Sequence, residues 1–167
     1  MNGYYYSFWM IRLILRLETI HLEKETILKN FIERFLKIIN QKTELNGPEE
    51  NSFFIALKDV WERLAKISVS QWLLSFVKEI EFIFIVAIWE HENSLRKQLP
   101  GIKDYLEKRR FNEAANIAVK FIEPIEQIYL PEFVRQHDTI KELDKLACNA
   151  ICISIDLFSL SKKTNIR

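Results

Sequence analysis

A chain of 167 residues that is 49% hydrophobic and 13% aromatic, with only 3 Gly and 4 Pro, is no disordered segment, and it is long enough to bury one domain's core. Lys and Arg number 24 against 23 Asp and Glu, a formal charge of +1, so no bulk attraction favours nucleic acid or an anionic membrane. There is no strand pattern with turn signals, no internal repeat and no low-complexity tract, which leaves an all-α fold of six to eight helices.

In chain order, Tyr4 to about Glu23 carries Phe8, Ile11, Leu15, Ile20 and Leu22 and is predicted to be an amphipathic helix. Neither a basic start nor a small-residue cleavage site is present, and Arg12 and Arg16 interrupt the apolar run, so neither a signal peptide nor a membrane span is expected. A second helix follows through Ile27, Phe31, Phe35 and Ile39. Gln41 to Asn51, with Asn46-Gly47-Pro48, reads as a loop. Phe53 to Lys66 is a third helix, and Ser70 is placed to cap a long fourth one that carries Trp72, Phe76, Ile80, Phe84 and Trp89. Lys78, Glu79 and Glu81 prevent that helix from spanning a membrane.

The fourth helix runs into the polar stretch Glu90 to Gln98 and is expected to stop at Leu99-Pro100-Gly101, because proline lacks an N–H and biases the residue before it away from helical angles. Ile102 to Arg110 restarts as a short helix with two arginines. Arg109 and Arg110 are either solvated surface residues or a fixed positive pair that grips phosphate or carboxylate through planar guanidinium forks. Asn112 to about Pro124 reads as a further helix, Tyr129-Leu130-Pro131 as a stop, and Asp138 to about Ser161 as the last helix. Cys148 and Cys152 lie four apart on it; geometry for a mutual disulfide does not follow from spacing, and buried small apolar residues in a reduced, cytoplasmic setting are expected.

Trp89-Glu-His-Glu-Asn93, followed by Leu99-Pro-Gly-Ile and Tyr105-Leu-Glu-Lys-Arg-Arg110, resembles the microbial class I terpene synthases. The likeness extends through Ala56 to Arg63 and Ser70-Gln-Trp72 upstream, and through Leu130-Pro131 to Lys163 downstream. It implies one partial terpene synthase-like domain over residues 1–167, truncated at both ends, with part of the isoprenoid synthase helical bundle. The implied chemistry is Mg²⁺-dependent ionisation and cyclisation of a prenyl diphosphate, farnesyl or geranyl, with release of diphosphate. Aromatic faces would stabilise the passing carbocation, and Phe53, Phe54, Trp61, Trp72, Phe76, Phe82, Phe84 and Trp89 are the candidates, each also readable as core.

By the same resemblance Arg109 is the diphosphate sensor, standing 46 positions before Ile155, and Asn112 and Glu113 occupy the places of the family's linker and helix-break residues. The second metal motif puts Asn, Ser and Glu at i, i+4 and i+8, where side chains drift by about 40° per step and converge on one cation. Here those positions hold Ile155, Ser159 and Lys163, while Asp156 and Lys162 match the family pattern. The aspartate-rich first motif corresponds to Leu17 to Glu23, where Glu18 and Glu23 keep carboxylates and His21 reads as a boundary residue. The implied site is therefore Arg109 and Lys162 for diphosphate and Glu18, Glu23 and Ser159 for magnesium, with turnover by this chain impaired. Two other readings stand beside it: a non-catalytic helical protein that dimerises or pairs with a complementing polypeptide, and a prenyl-diphosphate binder in which Lys162 or Lys163 replaces the lost metal charge.

Overall fold

A computed structural model describes residues 25–40, 51–112 and 114–164. The helix expected over Tyr4 to Glu23 lies outside the described residues, as do most of the Gln41 to Asn51 loop and Glu113. Among the described residues there are eight helices and no strand: α1 Glu25–Ile39, α2 Ser52–Ile67, α3 Ser70–Leu95, α4 Ile102–Asn112, α5 Ala115–Lys120, α6 Ile122–Glu126, α7 Glu132–Arg135 and α8 Asp138–Thr164.

The first three helices form because each carries an apolar stripe at helical spacing. Leu28, Ile32, Phe35 and Ile39 of α1, Phe54, Leu57, Trp61 and Leu64 of α2, and Trp72, Phe76, Ile80 and Phe84 of α3 are all buried in one cluster. Its centre is aromatic: Trp72 stacks on Phe76 at 4.7 Å, Phe35 meets Phe84 edge-on at 5.0 Å, and Phe121 closes on Phe76 at 5.2 Å. The Trp72 indole N–H donates to the Lys120 carbonyl at 3.1 Å, so the polar edge of this buried ring is satisfied where α5 ends.

Helix ends follow rules of which sequence shows only some. Asn51 caps α2, its side chain accepting from the Phe53 N–H at 2.9 Å. Ser70 does not cap α3: it is the first helical residue, and Val69 precedes it with no side-chain cap. At the other end α3 stops at Leu95, short of Pro100. Lys97 adopts φ 52°, its N–H donates to the Ser94 carbonyl and the Gln98 N–H to the Asn93 carbonyl, a Schellman closure with lysine in the left-handed position usually filled by glycine.

The expected helix from Asn112 onward is broken in two. Ala114 takes φ 52°, and residues 114 to 117 are all buried, with Ala114 and Ile117 in the large cluster and Ala115 in a small one with Cys148 and Cys152. Ala115 and Ile117 lie on opposite sides of α5, whose successive residues advance by about 100°, so this short helix faces both cores, and the chain kinks at Ala114 as it leaves α4. Pro124 sits in the first turn of α6, where its missing N–H costs nothing. α4 and α5 then lie between α3 and α8, packing against both.

Candidate functional site

Helix α4 has few apolar residues, and its charges suit a helix of its length: Asp104 in the first turn, Arg109 and Arg110 in the last. It is anchored to α8 by an arginine. Arg109 is 6% exposed, so it is no surface residue, and it lies against Asp156 of α8 in a two-pronged fork. Nε donates to Oδ2 at 3.0 Å and Nη2 to Oδ1 at 2.5 Å. The Tyr105 hydroxyl, one turn back on α4, donates to the same Oδ2 at 2.8 Å. Burial pushes the Tyr105 phenol above its ordinary pKa, and the hydrogen bond it gives Asp156 pushes the same way. Cys152 of α8 lies close by, its Sγ 3.6 Å from the Arg109 carbonyl oxygen.

Arg110 has a different setting. Its guanidinium lies over the Phe111 ring at 4.6 Å, and Phe111 stacks on Phe82 of α3 at 5.5 Å. The arginine pair is therefore divided, one member gripping a carboxylate and the other resting on an aromatic face.

Arg109 and Tyr105 form part of the wall of a cavity of about 510 Å³ between the end of α3 and α4, where they meet Trp89, Leu99, Ile102 and Lys108. The Lys108 ammonium sits 4.8 Å from the centre of the Trp89 ring. The wall also carries the Glu90 carboxylate and the polar side chains of Asn93, Ser94 and Gln98, so a mainly apolar space is edged by two cations and one anion.

A second cavity, about 540 Å³, opens between α3 and α8 and is charged. Glu79 accepts from the Asn116 amide at 2.8 Å and pairs with Lys120 at 3.6 Å, and Lys120 also donates to the Ser75 hydroxyl at 2.8 Å. Asp144 of α8 lines the same space, its carboxyl held above the usual range by burial first and by the nearby Glu79 second. Of the eight candidate aromatics, Phe54, Trp61, Trp72, Phe76 and Phe84 are core and Phe53 packs against it; Phe82 and Trp89 line cavities.

The other expected site residues separate. Ile155 is 43% exposed and offers no donor atom to a cation. Ser159 donates its hydroxyl to the Asp156 carbonyl at 3.0 Å, a local bond within α8. Lys162 and Lys163 fall on α8, with side chains outside the described residues, where Glu18, His21 and Glu23 also lie. Asp156 was legible as a match but not as the partner of Arg109, since the two are 47 residues apart. Tyr105 stood in the matched run with no role attached.

The family model "Terpene synthase family 2, C-terminal metal binding" matches residues 18–166. The chain belongs to this terpene synthase family. It is 33% identical over 133 residues to the (+)-T-muurolol synthase of Roseiflexus castenholzii, named as (2E,6E)-farnesyl diphosphate cyclizing, a match that covers 78% of this chain and 40% of that one. The germacrene A synthase of Nostoc punctiforme is 27% identical over 137 residues, 82% of this chain and 42% of the relative. This terpene synthase-family chain thus spans about two fifths of the length of the curated relatives it matches. The crystal structure of germacradien-4-ol synthase from Streptomyces citricolor superposes with a TM-score of 0.70 at 20% identity, over 87% of this chain and 50% of the other, which shows the class I helical fold.

The family description includes metal binding, and the carboxylates expected to hold a metal, Glu18 and Glu23, lie outside the described residues. Among the described residues no three His, Cys, Asp or Glu side chains converge. The one carboxylate on the relevant stretch of α8, Asp156, is held by Arg109 and Tyr105. Among the described residues no helix is long and apolar enough to cross a membrane.

Proposed function

We propose that this terpene synthase-family chain recognises the diphosphate group of a farnesyl or geranyl diphosphate through Arg109, with Lys162 assisting, and that magnesium-dependent ionisation and cyclisation are impaired in it. A single observation carries the reading: a buried guanidinium, fixed by a carboxylate and standing in the wall of a mainly apolar cavity. A guanidinium so held costs little further ordering when it meets an anion. Impairment is supported by Ile155 and Lys163, which bring a hydrocarbon and an ammonium to places where a hard cation needs oxygen. Glu18, Glu23 and Ser159 are the remaining oxygens that this reading leaves for a cation.

Calorimetric titration of the chain with inorganic diphosphate, with and without magnesium, tests it against Arg109→Ala. Binding that needs magnesium and is lost in the variant supports a surviving metal-diphosphate site. Binding that ignores magnesium and is lost in both Arg109→Ala and Lys162→Ala supports direct recognition by cations. No binding by a folded protein ends the proposal. A second reading, pairing with another copy or with a complementing polypeptide, is favoured by the exposed Leu143, Leu146 and Leu157 on α8; sedimentation that depends on concentration would support it.

A further inference from the structure

The Asp156 carboxylate alone does not define where Arg109 points. The terminal torsion of an aspartate side chain is broad and roughly two-fold, so an aspartate held only by the arginine it holds can turn together with it. Tyr105 supplies the missing constraint. Its hydroxyl is on Oδ2, the oxygen that also accepts from Arg109 Nε, at 2.8 and 3.0 Å. Its ring lies beneath the guanidinium, whose Cζ is 6.0 Å from the ring centre. Tyr105 and Arg109 are one turn apart on α4, so both donors come from one rigid segment and the acceptor from another. Burial raises the phenol pKa, so the hydroxyl stays protonated and a donor at neutral pH, where diphosphate is an anion.

We propose, building on diphosphate recognition by Arg109, that Tyr105 is a positioning residue for that recognition: through its hydrogen bond to Asp156 and its ring under the guanidinium, it fixes the orientation in which Arg109 meets the anion. Tyr105 itself need not touch the diphosphate.

The test is a double-mutant cycle read by calorimetry with inorganic diphosphate, alongside urea unfolding of every variant. Tyr105→Phe keeps the ring and removes the hydroxyl, and weakens diphosphate binding by about two- to tenfold, the range of one hydrogen bond. Tyr105→Leu removes ring and hydroxyl and weakens it further. In an Arg109→Ala background the residual affinity is the same with Tyr105 as with Phe, because the tyrosine acts only through the arginine. The unfolding midpoint, in contrast, moves independently of diphosphate. Wild-type affinity in Tyr105→Phe overturns the inference, and so does an equal loss with and without Arg109. If Arg109→Ala binds diphosphate as the parent does, the reading of Arg109 fails first, which separates the two failures.

Discussion

Helix α4 and the C-terminal part of α8 meet across one ion pair, yet they are built differently. On α4 an arginine is buried and held by a carboxylate that a tyrosine also holds, and the backbone beyond it bends at Ala114. On α8 the neighbouring positions are a half-exposed isoleucine and a serine bonded to its own helix. A side chain becomes costly to change when burial and partners converge on it. Arg109 meets that condition, and Asp156, its side chain still 31% exposed, is tied to it by partners on another helix; Ile155 is 43% exposed and the bond of Ser159 lies within α8.

The sharpest way to break the contrast is Asp156→Ala. It strips the carboxylate from a guanidinium whose side chain is only 7% exposed and is expected to cost about 3 kcal/mol in urea unfolding. A loss below about 1 kcal/mol would mean that water reaches Arg109 and that the fork is ornamental. Lys97→Gly acts where α3 ends, on the approach to α4, by relieving an exposed residue held at φ 52°. A gain of roughly 0.5–1 kcal/mol is expected, read as a higher denaturation midpoint.

Asp144→Asn probes α8 on the side of the charged cavity. The folded-state pKa of Asp144 is raised, so its protonated form is favoured: its stabilising contribution is complete below the ordinary carboxylate pKa and is lost as pH rises through the folded value. The variant is therefore more stable than the parent at pH 7, and the difference disappears at acid pH, measured as thermal midpoints across a pH series. Ser159→Ala should change stability by no more than about 0.5 kcal/mol, since its bond is local. A large loss there would place Ser159 beside Arg109 in importance and remove the distinction between the two helices.

Periodicity carried most of the fold. The stripes of α1, α2 and α3 and the length of α8 follow from apolar spacing in the sequence, and so does the restart after Pro100. Composition gives no sign of the kink at Ala114, because alanine favours helix and neither glycine nor proline lies between Arg110 and Pro124; the break there was expected from the resemblance, which put Glu113 in the place of a helix-break residue. The stop at Leu95 was equally silent, since lysine is an uncommon residue for a left-handed cap. In the site, Arg109 was legible from the residues around it and Asp156 only as a motif match. Their pairing joins residues far apart in sequence, which no spacing rule reports. Buried cysteines were expected, and Cys148 and Cys152 are both fully enclosed. Burial, with a smaller push from Asp144, raises the Cys148 thiol to about 12, so it stays unionised and inert in the folded protein.

The three tryptophans among the described residues are not equivalent. Trp61 and Trp72 are enclosed in the aromatic core, whereas Trp89 stands half-buried in the cavity wall with the Lys108 ammonium over its ring and Arg109 in the same wall. An indole beneath a cation has an emission sensitive to the local field, and an arriving polyanion would draw on that same cation. If the proposed diphosphate site holds, Trp89 would report its occupancy in the unlabelled protein: a fluorescence change on titration that disappears in Trp89→Phe, where the other tryptophans still emit, would be the signature.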